Sequence, residues 1–148
     1  MRKNREKYVM KKRILGLLLL PVMLLVSCAG TQQTTALQKN SDGYYQIGQD
    51  EAASMMEKEQ NAVILDVRTV SEYDSGHIPG AVCIPNEIVS DVAPEELPDR
   101  EQVILVYCRS GRRSKEASAK LADLGYTNVY EFGGVQTWTG ELVTTEIP

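Results

Sequence analysis

Histidine, phenylalanine and tryptophan occur once each in the 148 residues, and cysteine three times. No cysteine and histidine set has zinc-ligand spacing, so no metal is expected. No glycine-rich dinucleotide fingerprint follows a strand-like run, and no cofactor is expected either. The longest uncharged apolar run, residues 14–26, is 13 residues long, short of the roughly 20 that a spanning helix needs. Basic charge is scarce outside the first segment. Residues 1–27 hold seven of the 16 Lys and Arg and one of the 20 Asp and Glu, so the remainder carries 9 minus 19, or −10. Nucleic-acid binding rests on a basic surface that neutralises phosphates, which argues against that function while leaving room for one small anion site. What is present is ordinary for a globular chain: 43% hydrophobic and 24% charged residues, no internal repeat, and length for one domain.

Arg2, Lys3, Arg5, Lys7, Lys11, Lys12 and Arg13 precede the apolar run, the order of charged and hydrophobic regions in a secretory signal. Leu25-Val26-Ser27-Cys28 closes it and resembles the bacterial lipobox. That resemblance implies cleavage before Cys28, lipid on Cys28, and an extracytoplasmic chain held at a bacterial membrane by several acyl chains. An ordinary signal or a short retained anchor is the alternative. Residues 28–43 are polar and read as a flexible tether. Residues 44–146 are the expected folded domain.

Within that domain strands and helices alternate. Residues 50–59 place Ala52, Ala53, Met55 and Met56 at helical spacing. Val63-Ile64-Leu65 is a buried-strand pattern ending at Asp66. Thr69 and Glu72 stand in capping-box order before a short helix to about Ser75. Residues 81–84 form another apolar run, and residues 86–97 read as a helical connection broken by Pro94 and Pro98. Residues 103–107 are the strongest strand and run directly into Cys108. A helix over residues 114–124 is closed by Gly125, and residues 128–132 form a last strand before a Gly133-Gly134 turn. The expectation is an α/β fold, with a mainly parallel central sheet flanked by helices on both faces. Ligands then collect at the carboxyl ends of strands, where Asp66, Arg68 and Cys108 lie.

Cys108-Arg109-Ser110-Gly111-Arg112-Arg113-Ser114 joins a strand to a helix. In such a turn successive N–H groups can point inward and make a nest for an anion, with Gly111 supplying the unusual backbone. A cysteine at its base holds its thiolate more easily than a free thiol at pKa ~8.5. Arg109, Arg112 and Arg113 concentrate three cations there. A buried structural cysteine beside a solvated helix start needs no such neighbours.

Ile64-Leu65-Asp66-Val67-Arg68, Glu72-Tyr73, Gly76-His77-Ile78-Pro79-Gly80-Ala81, the Cys108 loop, Leu124-Gly125-Tyr126 and Gly133-Gly134 together resemble a single rhodanese domain. The resemblance implies a rhodanese-like fold and a sulfurtransferase. Cys108 matches the family nucleophile, taking a sulfane sulfur from an anionic donor such as thiosulfate and passing it to cyanide or a thiol. Arg109, Ser110, Gly111, Arg112 and Arg113 would form the anion-binding loop, with Arg109 and Arg113 nearly equal candidates for substrate contact. A protein acceptor is open, as is the rival reading of a non-enzymatic sulfur carrier. Cysteine phosphatases share such a nest, but they carry arginine six positions after the cysteine, where this chain has Ser114. Tyr107 also stands where their histidine usually precedes the cysteine.

Four further residues call for weighing. His77 matches a structural turn of the family, where it would satisfy backbone groups. Asp66 and Arg68, two apart at a strand end, share one side of the sheet, and the resemblance suggests an ion pair supporting the active loop. Cys83 reads as a buried thiol, or as a partner for Cys108 in disulfide or persulfide exchange.

Overall fold

The computed structural model describes residues 37–145 apart from Asp91. The signal-like segment 1–27, Cys28 and residues 29–36 lie outside the described residues. Residues 39–43, the end of the polar stretch, form a turn in which the Asn40 side chain accepts the N–H groups of Asp42 and Tyr44.

Five strands make one sheet: β1 (Tyr45–Gln46), β2 (Val63–Asp66), β3 (Val82–Cys83), β4 (Val103–Cys108) and β5 (Asn128–Gly134). Their order is β1-β5-β4-β2-β3 and every pairing is parallel. Three helices connect them: α1 (Gln49–Lys58), α2 (Val70–Asp74) and α3 (Arg112–Asp123). The crossovers through α1 and α2 move one way across the sheet, and those from β3 to β4 and through α3 move back. Right-handed crossovers of opposite direction lie on opposite faces. Two apolar clusters follow. Ile104, Val106 and Cys108 of β4 pack with Ala117 and Leu121 of α3, whereas Leu105 and Tyr107 pack with Ala52 of α1 and with Ile78. Central β4 is thus buried on both faces, which explains its unbroken apolar sequence.

Local chemistry sets the element ends. Thr69 and Glu72 form the reciprocal capping box at the start of α2. After α3, Gly125 takes φ +91° while its N–H and that of Tyr126 bond to Ala122 and Leu121, satisfying carbonyls that the helix leaves free. Two expectations fail. Apart from Asp91, residues 86–97 form turns and extended stretches rather than a helix: Pro94 has no N–H to give, and Val89 and Leu97 anchor the segment individually in the α3-side core. Gly133-Gly134 is the end of β5 rather than a turn beyond it.

The onward connections of neighbouring β2 and β4 run in opposite directions, and ligands of such sheets usually bind at the carboxyl ends of strands at this kind of switch point. Because β4 holds both core layers, Ile104→Ala should cost about 2–5 kcal/mol by cavity formation, read as a lower urea midpoint in equilibrium unfolding.

Candidate functional site

Cys108 ends β4, and the chain turns through Arg109 and Ser110 into α3, with Gly111 as the N-cap at φ +99°. This left-handed backbone, open chiefly to glycine, brings the Gly111 N–H to 3.1 Å from Cys108 Sγ. The residue is 1% exposed. Burial pushes the thiol up, but the Ser114 hydroxyl and the N–H groups of Ser114, Ser110 and Gly111 outweigh it, and the thiol lies below its ordinary range. Among the described residues, the hydrogen bond formed to the sulfur is that of the Gly111 N–H.

The loop lies directly on the end of β5. A Cβ on Gly134 would collide with the Arg109 carbonyl and with Ser110, so glycine at 134 is required by space. Between Val106↔Glu131 and Cys108↔Gly134, β5 carries one extra residue. The bulge follows Glu131, which shares the inward face of Val129. Glu131 is 1% exposed and accepts the Ser114 hydroxyl at 2.7 Å and the Gly133 N–H at 2.8 Å.

The three arginines divide sharply. Arg113 is held by Glu72 through two bonds of 2.7 and 2.8 Å, and that guanidinium, with help from Thr69, lowers the Glu72 carboxyl to about 2. Arg112 points outward and pairs at 3.6 Å with Glu116, a surface contact of small worth. Arg109 is exposed, and among the described residues it forms no ion pair. Arg113 is thus already paired with a carboxylate, whereas among the described residues Arg109 is not. Ser110 is exposed at the rim.

Asp66 and Arg68 form a buried pair at 2.6 Å, and Arg68 also donates to the Gly76 carbonyl at 2.7 Å. Arg68 lies over the Tyr107 ring at 5.8 Å, so its support reaches Cys108 through the preceding residue and the 76–78 turn. The Tyr107 hydroxyl accepts the Ile78 N–H at 3.2 Å in the same turn. His77 stacks on Tyr73 with ring centroids 3.7 Å apart, and its Nδ1 lies 2.9 Å from the Tyr73 carbonyl oxygen. Its contacts are structural. Cys83 is in register with Asp66, which is in register with Tyr107. It therefore sits two strands, about 10 Å, from β4, beyond the 4.4–6.8 Å between Cα atoms that a disulfide needs. Burial, with the Asp66 charge behind it, pushes its thiol up to about 11. Among the described residues no three His, Cys, Asp or Glu side chains converge as metal ligands.

Sequence reading missed Glu131, the Glu72–Arg113 pair and the spatial role of Gly134. A signal existed for two of them. Glu131 is two residues from apolar Val129 in a strand, which puts a carboxylate on an inward face, and glycine in a strand marks close backbone approach.

The rhodanese-like domain pattern matches residues 48–141. The thiosulfate sulfurtransferase PspE of Escherichia coli is 36% identical over 72 residues, covering 49% of this chain and 69% of that protein. The putative sulfur carrier protein YrkF of Bacillus subtilis is 32% identical over 104 residues, covering 70% of this chain and 55% of that protein. Among solved structures, the rhodanese-like domain of an Anabaena protein superposes with TM-score 0.60 at 30% identity, covering 68% of this chain and 79% of that one.

With the Arg109 carbonyl pressed on Gly134, Gly134→Ala should lift the loop and withdraw the N–H donors from Sγ. The pH midpoint of iodoacetamide alkylation at Cys108 is expected to rise toward the free-thiol value of about 8.5, with cooperative unfolding retained. An unmoved midpoint would refute that role for Gly134.

Proposed function

The chain belongs to the rhodanese-like family, and from that premise we propose that it is a sulfurtransferase working through a Cys108 persulfide. The observation that carries this reading is the buried sulfur facing the Gly111 N–H at 3.1 Å, with its thiol lowered despite burial. The Cys108 thiolate attacks the outer sulfur of a donor such as thiosulfate. The donor's S–S bond breaks and sulfite leaves with the electron pair. An acceptor thiolate or cyanide then attacks the outer sulfur of the persulfide, and the electron pair of that bond returns to Sγ. Dividing the transfer into two displacements is nucleophilic catalysis. The preorganised N–H groups stabilise the anion at each stage, as an oxyanion hole does. Arg109, without a carboxylate partner among the described residues, is the cation that draws the donor in, while Arg113 fixes the loop to α2 through Glu72.

The resemblance to a putative sulfur carrier favours a second reading, in which the domain loads sulfur and hands it to a protein partner without multiple turnover. One experiment serves both. After exposure to thiosulfate, the intact mass should rise by about 32 mass units, one sulfur on the reactive thiolate, and Cys108→Ser should abolish the gain. Continuous thiocyanate release with cyanide marks the enzyme, and stoichiometric loading alone marks the carrier. No mass gain with any sulfane donor would sink both.

We also propose that the domain is tethered to the outer side of a bacterial membrane by lipid on Cys28, the reading supported by the charged segment, the 13-residue apolar run and Leu25-Val26-Ser27-Cys28. Cys28→Ser should move the protein from the detergent phase to the aqueous phase in Triton X-114 partition. Unchanged partition would count against lipidation.

A further inference from the structure

The peptide that opens the Cys108 loop is held from outside it. The Arg109 carbonyl accepts the Gln136 N–H at 3.2 Å, from the short 3-10 turn Val135–Thr137 that follows β5. That turn is fastened in its own right by a side chain 85 residues earlier in the chain. Gln49, the first residue of α1, donates from Nε2 to the Gly134 carbonyl and to the Thr137 hydroxyl, each at 2.9 Å. A carbonyl can only accept, so the amide nitrogen rather than its oxygen faces Gly134, and both amide protons are used. The Thr137 hydroxyl gives its own proton to the same Gly134 carbonyl at 3.2 Å. Gln49 makes no cap for α1, whose N-cap is Gly48, and the sulfur-transfer scheme gives it no task.

We propose that Gln49 is a positioning residue for the sulfur-transfer loop: it fixes the 134–137 turn, so that the Gln136 N–H anchors the Arg109 carbonyl and the next peptide N–H is aimed into the nest. This rests on the sulfurtransferase reading only for what the loop does. No peptide bond among the described residues is cis, and in a trans peptide the C=O and N–H point opposite ways. With the Arg109 carbonyl drawn toward β5 and the turn, the Ser110 N–H is directed away from them, to the side where the Gly111 N–H meets Sγ at 3.1 Å. The Ser110 N–H accordingly counts among the groups that lower the Cys108 thiol. Since α1 and α3 pack in different core layers, Gln49 is also how the α1 layer reaches a loop that leads into α3.

The side chain is uncharged, which makes its role separable from the field around the sulfur. The charged groups packed about the loop are Arg113 of α3 with its partner Glu72, Glu87 near that pair, Glu131 of β5, and the Asp66–Arg68 pair at the end of β2. Replacing Gln49 by a neutral residue alters none of them. A change in Cys108 acidity then reports how well the loop holds its N–H donors.

The test is the pH midpoint of iodoacetamide alkylation at Cys108 in Gln49→Met, which keeps the side-chain length and removes both donors. The midpoint should rise by about half a pH unit, the size expected when one hydrogen-bond donor to the thiolate is loosened. Persulfide loading below the midpoint should slow by about threefold in step, because the thiolate is the nucleophile. Thr137→Val, which removes only the hydroxyl, should move the midpoint the same way by less, and Thr137→Ser should keep the parent value. Met56→Ala, at a partly buried position of α1 in the same layer, should lower the urea midpoint of unfolding and leave the alkylation midpoint in place. An unmoved or lowered alkylation midpoint in folded Gln49→Met overturns the proposal, and so does an equal rise in Met56→Ala. If Gln49→Met fails to fold, Thr137→Val decides on the same terms. The expected midpoint shifts with no persulfide loading of the parent protein would instead refute the sulfurtransferase reading alone.

Discussion

The site is organised by N–H groups converging on one sulfur where β4 gives way to α3. Burial by itself would make Cys108 a weak acid and a poor nucleophile. The loop reverses that effect because Gly111 takes a left-handed backbone and Gly134 presents no side chain, so the turn can close tightly and lie flat on β5. Both glycines serve the same end from different elements. One shapes the nest from within and the other lets it be supported from below.

The electrostatics are more restrained than three neighbouring arginines suggest. Arg113 is paired with Glu72, and Arg112 leans on its own helix toward Glu116. The positive potential at the sulfur therefore comes largely from peptide dipoles and the start of α3, with Arg109 as an exposed cation beside it.

The sheet explains why these groups meet. β2 and β4 are neighbours whose onward connections leave on opposite faces, so Asp66–Arg68 and Cys108 stand at adjacent strand ends yet serve different layers. The ion pair braces Tyr107 and the 76–78 turn, and the loop is braced by Glu72 and β5. The two cysteines of the domain are separated by the same geometry, which places Cys83 on the edge strand β3, apart from Cys108.

Much of this was legible in residue order because it is local. The alternation and branching of residues 103–107 mark a strand, Thr69 and Glu72 mark a helix start, Gly125 marks a helix end, and a cysteine followed by glycine and arginines marks an anion nest. Such features depend on neighbours within a few positions, and the chain spells them out directly. Other features rest on pairs far apart in the chain: Arg113 with Glu72, Ser114 with Glu131, Arg109 with Gly134, and the distance between Cys83 and Cys108. These were settled by strand order, register and a single bulge in β5, which arise only when the whole sheet is assembled and which no local pattern encodes.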